Sequence, residues 1–223
     1  MKKMVAVIKL RRGKSSIVGL VRSRFEKSTV IETSHREDIL PDVRKILNTS
    51  LKDFIVPRFV YYTMLNQMAA NQIKNMDKDT VVIMDRSVYS TYAYHIAYDK
   101  YYNCGSNLLK INVIGKAANS SIRFPDISIF LYVDEEERVK RLVRRETKLN
   151  ESNDFDTDVL KLVNAEFQYI AKGLRENGQV VYEFDTTNLD KEGVLEKIVS
   201  AIKNTQKQFD FVKVPNYYYR FKL

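Results

Sequence analysis

The chain has 223 residues, with 37 Lys or Arg against 28 Asp or Glu, so its formal net charge at pH 7 is +9. A single Cys excludes an intramolecular disulfide, and with only 7 Gly and 4 Pro no flexible linker divides the chain. No apolar run is long enough to span a bilayer, and no signal peptide is evident, so we expect a cytoplasmic protein without membrane contact. The basic residues are spread along the chain, which favours a nucleotide over nucleic acid as the anionic partner.

The first element of interest is a strand followed by a short basic loop. Residues 4–8 form an apolar run, and Gly13, Lys14 and Ser15 come before apolar residues at helical spacing. A strand, a loop ending in Gly-Lys-Ser and a helix form the setting of a phosphate-binding loop, in which backbone N–H groups and the helix N-terminus attract phosphate oxygens. Ile8 stands where such a loop normally has its first Gly, and a β-branched residue cannot adopt the backbone angles open to Gly.

The second element is an apolar run at residues 80–84 that ends in Asp85 and Arg86. An apolar β-branched run of this kind predicts a buried parallel strand, which would deliver the Asp85 carboxylate to the carboxyl edge of the sheet. Ligands bind at that edge in open α/β sheets. The cation, hydroxyls and aromatic rings that follow suit a phosphate and a flat ring.

This second segment resembles the Asp-Arg-Tyr-x-x-Ser-x-x-Ala-Tyr-Gln signature of thymidylate kinases. The positions that match in register are Asp85, Arg86, Ser90, Ala93 and Tyr94. Ser87 replaces an aromatic residue of the signature and His95 replaces its Gln. The Asp-Arg-Ser beginning is also similar to the signature of deoxynucleoside kinases.

The resemblance implies transfer of the γ-phosphoryl group of ATP to a pyrimidine deoxynucleoside monophosphate, with dTMP first among the acceptors, in a chain that forms a homodimer. It implies Mg²⁺ as the cofactor, held by Ser15 and Asp85. The residues expected to act in catalysis are Lys14, Arg11, Asp85, Arg86 and Arg145. Those expected to bind ATP are Arg12, Gly13, Lys14, Ser15 and Ser16, and those expected to bind the acceptor are Arg36, Phe59, Tyr62, Arg86, Ser90, Tyr94 and His95.

Strands and helices alternate along the chain, which predicts a three-layer, doubly wound parallel sheet of the P-loop nucleoside triphosphate hydrolase type, in one domain over 1–223. The further predicted strands are 29–33, 127–133 and 180–185, and the helices include 38–49, one opened by Pro57, 135–145, 160–174 and 191–207. Side chains predicted to face the core include Ile39, Val43, Ile46, Leu47, Phe59, Val60, Leu65, Met68 and Val139. The polar stretch at about 144–156 is expected to be a mobile lid, for which Arg141, Arg144, Arg145 and Lys148 supply cations.

Three other functions stay open. A deoxynucleoside kinase is favoured by Ser87 and by the lack of an Arg near residues 63–65, where thymidylate kinases hold the acceptor phosphate. A kinase relative that binds a nucleotide without catalysis is suggested by Ile8 and its altered loop. The aromatic and basic tail, residues 209–223, would allow nucleic-acid binding, although packing of the tail on the body is the preferred interpretation.

Overall fold

A computed structural model describes residues 3–9, 14–33, 39–108, 125–143 and 157–211 of the chain. Strands and helices alternate through these ranges, as the hydrophobic patterns predict. The elements in chain order are β1 (Lys3–Lys9), α1 (Lys14–Ser23), β2 (Ser28–Glu32), α2 (Pro41–Leu47), α3 (Ile55–Lys74), β3 (Val81–Asp85), α4 (Val88–Tyr102), β4 (Ile127–Tyr132), α5 (Glu135–Val143), α6 (Thr157–Glu176), β5 (Val180–Asp185) and α7 (Lys191–Phe211).

The strands pair in the order β2-β3-β1-β4-β5, and every pairing is parallel. Parallel neighbours require a crossover for each connection, and helices supply these crossovers. The central strand, β1, lies between β3 and β4, with Val7 opposite both Asp85 and Ile129. The predicted doubly wound parallel sheet is therefore confirmed.

Helices cover both faces of this sheet, and alternate residues of β3 show which helices lie on which face. Val81 and Ile83 pack in a cluster with side chains of α1 and α7. Val82 and Met84 pack in a separate cluster with side chains of α3, α4 and α6. Because successive strand residues point to opposite faces, the two clusters are the two helix layers of a three-layer α/β/α arrangement.

The helix predicted at 38–49 is shorter in the structure, where α2 covers Pro41–Leu47. Leu40 adopts a left-handed conformation with φ 48°, which stops the helix from starting earlier, and Pro41 is suited to its first turn. Leu47 is buried as predicted, but Val43 and Ile46 are exposed, Ile46 to 57%. The prediction that these two side chains face the core was wrong, because α2 meets the body of the protein at its C-terminal end.

Three more side chains of the predicted apolar stripes face outward. On α3, Phe59 and Leu65 are buried as predicted, but Val60 and Met68 are exposed. On α5, Val139 is exposed as well. Helical spacing identifies a face only to within part of a turn, so residues at the border of a stripe can lie on either side of it.

Several predictions lie outside the described residues. The lid at 144–156 is among them, as is the tail beyond Phe211. None of the helices in the described ranges is long and apolar enough to cross a membrane.

Candidate active site

The carboxyl ends of the central strands bring together the two segments that the sequence singles out. Asp85, the last residue of β3, lies between Val7 of β1 and Glu32 of β2. β1 continues for two more residues to Lys9, and α1 begins at Lys14, so the connection that contains the predicted phosphate loop starts beside Asp85. Ile8 pairs with Phe130 in β4 and is a strand residue, which leaves residues 10–13 as the whole connection to α1.

Several predicted site residues fall at the edge of the described ranges or outside them. Lys14, Ser15 and Ser16 form the first turn of α1, where backbone N–H groups have no partner within the helix, but their side chains are not among those described. The residues that lie outside the described ranges altogether are Arg11, Arg12, Gly13, Arg36 and Arg145.

Asp85 is buried, with 5% of its surface exposed. The hydroxyl of Thr33, in the segment after β2, donates to the Asp85 backbone carbonyl at 3.3 Å and ties the neighbouring strand ends together. Burying a carboxylate is costly unless a charge or a donor faces it. Ligands bind at this edge in open α/β sheets, and Asp85 is the buried acid that β3 brings to it.

Arg86 follows in an uncommon backbone conformation, with φ 70°. A left-handed non-glycine residue is strained, and such strain is concentrated at functional sites. The guanidinium carbon lies 5.2 Å from the centre of the Tyr94 ring, which is nearly two helical turns into α4. Its Nε is buried and has no hydrogen-bond partner among the described residues. Stacking on Tyr94 holds the plane of the guanidinium and leaves this donor available.

The side of α4 that carries Tyr94 faces α6. The Tyr94 ring meets Phe167 edge-on at 5.9 Å and lies 6.2 Å from Tyr98, measured between ring centres. Ser90, one turn earlier, is buried, and its hydroxyl has no partner within the described structure. Arg86, Ser90 and Tyr94 thus form one group at the start of α4.

His95 faces α3 instead. Its ring centre lies 5.7 Å from Phe59 and 5.7 Å from Tyr62, two of the aromatic side chains predicted to contact an acceptor base. Phe59 is buried and Tyr62 is half-buried, so these rings enclose the imidazole on the α3 side. The predicted pocket residues therefore fall into two groups, one toward α6 and one toward α3.

The protonation state of His95 follows from its contacts. Nδ1 lies 2.7 Å from the backbone carbonyl of Thr91, which can only accept, so Nδ1 carries the proton. Burial lowers the pKa of His95 from 6.5 to about 4; the bond to Thr91 opposes this shift, and the nearby charge of Arg58 adds to it. The imidazole is therefore neutral at pH 7, and its Nε2 is a bare acceptor.

Asn66 and Thr91 complete the α3 side and are residues that the sequence analysis missed. The Asn66 amide nitrogen donates to the Tyr62 carbonyl at 2.7 Å and to the Thr91 hydroxyl at 2.9 Å. Both Asn66 and Thr91 are buried. The available sequence signal was a polar residue one turn beyond Tyr62 on a helix whose buried side chains are mostly apolar.

Arg58 has a structural position at the start of α3. Its Nη1 donates to the Leu47 carbonyl at 3.0 Å and to the Asn48 side chain, and its guanidinium lies over the Tyr62 ring at 5.7 Å. A cation at the C-terminal end of α2 satisfies carbonyls that the helix leaves unpaired and complements its dipole. Arg58 therefore fixes α2 against α3.

Arg141, predicted as a cation of the lid, is held by the loop that follows β5. Its Nη2 donates to the carbonyls of Thr186 and Thr187 at 2.8 and 2.9 Å, and its Nε donates to Glu137 at 2.8 Å. Nε and Nη2 of Arg141 donate to acceptors of the protein itself. Arg141 therefore joins α5 to the loop that follows β5.

The described residues at this edge of the sheet offer few ligands for a metal ion such as Mg²⁺. Within the described ranges, no group of three or more His, Cys, Asp or Glu side chains could hold a metal ion. Among the described residues, Asp85 is the buried carboxylate at this edge, and Ser15 lies in the first turn of α1. This suits Mg²⁺, which usually keeps several waters and binds through one or two carboxylates together with the phosphates of its nucleotide.

The architecture resembles solved nucleotide kinases. Thymidylate kinase from Candida albicans matches with a TM-score of 0.72 at 18% identity, over 92% of each chain. Deoxyadenosine kinase from M. mycoides, solved with bound dATP, matches with a TM-score of 0.62 at 16% identity, over 92% of this chain and 99% of the other. At these identities the matches establish the fold, that of the P-loop kinases. No curated protein matches the chain.

A match to a protein-family model identifies the family of this chain. The thymidylate kinase model matches residues 11–198, which is most of the chain. The chain belongs to the thymidylate kinase family, as the residues around Asp85 indicated. Nucleotide phosphotransfer is the activity that this family and the P-loop kinase fold support.

Proposed function

We propose that the chain transfers the γ-phosphoryl group of ATP to the phosphate of a pyrimidine deoxynucleoside monophosphate. The family name makes dTMP the first acceptor to test. The observation that carries the proposal is the position of Asp85 and Arg86 at the carboxyl edge of β3, directly beside the connection from β1 to α1. A donor nucleotide on α1 and an acceptor at β3 would then meet over one edge of the sheet.

The proposed reaction needs no covalent intermediate. An acceptor phosphate oxygen attacks the γ-phosphorus, the bond to the β-phosphate oxygen breaks, and ADP leaves. Catalysis consists of positioning and charge neutralisation, for which Lys14 and Arg11 are the cations assigned to the moving group. Mg²⁺, held by Ser15 and Asp85, would neutralise charge on the phosphates of ATP.

Arg86 is assigned to the acceptor phosphate. Its stacking on Tyr94 and its unpartnered Nε support this role, because a guanidinium binds phosphate through paired N–H groups in one plane. The base would lie toward α3, where Phe59, Tyr62 and His95 present flat surfaces. Arg145 and the rest of the segment at 144–156 are assigned to a lid that covers the phosphates.

A deoxynucleoside kinase is the second candidate, and the cations of α3 favour it. Arg58 and Lys74 are the basic residues of this helix, and Arg58 is bonded to the end of α2. No cation on α3 is therefore placed to share an acceptor phosphate with Arg86. A nucleoside acceptor carries no phosphate, so it would not need that cation.

Ser87 no longer separates the two candidates. Its hydroxyl accepts from the backbone N–H of Tyr89 at 3.3 Å and caps the N-terminus of α4. Ser is among the residues that helix N-termini prefer, so this role explains Ser87 in either class of kinase.

The test is ADP formation from ATP and Mg²⁺ with dTMP, dUMP, dCMP and thymidine in parallel. We expect turnover with a monophosphate that is lost in Lys14→Ala and kept in Lys203→Ala, an exposed control on α7. Turnover with thymidine alone would establish the nucleoside kinase. No turnover with any acceptor would overturn the enzyme proposal and leave a nucleotide-binding role.

A further inference from the structure

Two buried acceptor atoms lie between α3 and α4 without donors. One is Oδ1 of Asn66 and the other is Nε2 of His95, and neither has a hydrogen-bond partner among the described residues. Both side chains are 3% exposed. Buried polar atoms are nearly always paired, so two unpaired acceptors on side chains that both bond to Thr91 call for partners that donate.

The orientation of each side chain is fixed by Thr91, which bonds to both. The Thr91 hydroxyl accepts from the Asn66 amide nitrogen, and the Thr91 carbonyl accepts from Nδ1 of His95. A flipped Asn66 amide would turn its oxygen toward the Tyr62 carbonyl, an acceptor, so the assignment of its two ends is determined by the contacts. The N–H groups of both side chains bond to atoms of the protein, so the atoms without a partner, Oδ1 of Asn66 and Nε2 of His95, are acceptors.

Flat aromatic surfaces surround the His95 acceptor. Phe59 and Tyr62 of α3 enclose the His95 ring, and Phe59 also contacts Tyr92 at 5.6 Å. A ligand that satisfies the site is therefore a flat ring that presents N–H donors at its edge. Among nucleobases, the exocyclic amino group of cytosine or adenine offers two N–H donors. Thymine and uracil offer one ring N–H between two carbonyl oxygens, and those oxygens would face acceptors.

We infer that Asn66 and His95 select an acceptor whose base carries an exocyclic amino group, which among pyrimidines is cytosine. This inference rests on the proposed acceptor site and names its substrate class. The Gln that thymidylate kinases carry at the position of His95 can both donate and accept. His95, with Nδ1 bonded to Thr91, can only accept. The substitution removes the donor that a carbonyl oxygen of thymine would require.

The experiment compares dCMP with dUMP, which differ only at the edge that the site would read. Binding to the full chain is measured by calorimetry without ATP, so that it does not depend on turnover, and dTMP and dAMP extend the series. We expect dCMP to bind at least about tenfold more tightly than dUMP. His95→Gln, which restores an amide, should reduce this ratio toward one, and Met68→Gln, at an exposed position on α3, should leave it unchanged.

The outcomes separate the inference from the proposed function. Selective binding of dCMP or dAMP without ADP formation would support the inference and overturn the kinase. Equal or tighter binding of dUMP and dTMP by the wild type would overturn the inference, whatever the turnover, and would mean that water satisfies the two acceptors. The absence of binding by all four nucleotides would overturn both. The wild-type comparison needs no variant, so it stands even if His95→Gln does not fold.

Discussion

The two faces of the sheet are built from different kinds of side chain. The face under α1 and α7 is aliphatic at its centre, with Ile17, Val21, Leu195, Ile198 and Ile202 among its buried residues. The face under α3, α4 and α6 is rich in aromatic rings and also buries polar side chains, including those of Asn66, Ser90, Thr91 and His95. Aliphatic packing needs only shape, whereas buried polar atoms need partners.

We therefore associate the aliphatic face with the stability of the fold and the aromatic face with recognition of the substrate. A polar group whose acceptor or donor is unpaired destabilises the folded chain, so its presence indicates a use that compensates for the cost. Several such atoms lie on the aromatic side, among them atoms of Arg86, Ser90, His95 and Asn66. We therefore expect substitutions on the aliphatic face to change the free energy of unfolding, and substitutions at these four residues to change substrate recognition.

The largest expected effect is on turnover, from Arg86→Gln. Removing a charged donor to the acceptor phosphate should lower kcat/KM by roughly 100- to 1,000-fold. The free energy of unfolding should fall by only about 0.5–2 kcal/mol, the size of the lost contact with the Tyr94 ring, because Nε itself has no partner to lose within the described structure. Kinetics and urea unfolding on the same preparation check both parts. Arg22→Gln, an exposed position on α1, is the matched control. A variant that unfolds more easily while its folded fraction keeps full activity would assign Arg86 to the core.

On the aliphatic face, Ile198→Ala should have the opposite pattern. Ile198 is fully buried, and truncating such a side chain typically lowers the free energy of unfolding by about 2–5 kcal/mol. Urea denaturation monitored by circular dichroism measures the loss. For Ile198→Val the free energy of unfolding should fall by only about 0.5–1.5 kcal/mol. The KM for the acceptor should stay at its wild-type value in both variants. A changed KM would contradict the separation of the two faces.

The neutral His95 makes the aromatic face sensitive to acid. Its pKa in the folded chain is lowered to about 4 by burial, against 6.5 ordinarily, so the unfolded chain takes up the proton first as the pH falls. The stability that depends on the neutral imidazole is complete above pH 6.5 and is lost between pH 6.5 and 4. The full difference is on the order of 3 kcal/mol.

The check is the free energy of unfolding of wild type and His95→Gln at several pH values from 7 to 4. The amide does not titrate, so other acid-sensitive groups cancel in the comparison and the gap between the two proteins should change across this window. Curves that stay parallel would show that His95 does not titrate as its burial requires.

The smallest expected effect is on the cap of α4. Ser87→Ala removes the hydroxyl that accepts from the Tyr89 N–H and should cost about 1 kcal/mol of stability. Ser87→Asn, which keeps a capping oxygen, should recover most of it in the same thermal or urea measurement. If Ser87→Ala reduced turnover strongly at unchanged stability, Ser87 would have a role in the acceptor site beyond its cap.

Much of the fold could be predicted because its signals are local. The run before Asp85 is apolar and β-branched, and such a run indicates a buried parallel strand without reference to the rest of the chain. The end of β1 could not be predicted as well. The phosphate-loop pattern marks position 8 as its first loop residue, but Ile8 keeps the extended conformation that β-branched residues favour and, as part of β1, pairs with Phe130 of β4.

The candidate site could be predicted only in part, because the spacing of residues along the sequence does not show which neighbouring helix each side chain contacts. Tyr94 and His95 are neighbours in sequence, yet about 100° of helical rotation separates them, so one meets α6 and the other meets α3. Asn66 and Thr91 lie on different helices, and only the packing of α3 against α4 joins them. The protonated nitrogen of His95 is likewise set by a contact and not by the sequence around it.

The central position of β1 has a consequence for how the chain is made. β1 precedes all the other described strands, and its Val7 pairs with Asp85 on one side and Ile129 on the other. While a ribosome is still extending the chain, both edges of this apolar strand stay open until β3 and then β4 have emerged. Unpaired edges of this kind bind other chains readily, and contacts between distant residues form slowly. Nascent chains shortened to end before β4 should therefore require a chaperone to remain dispersed.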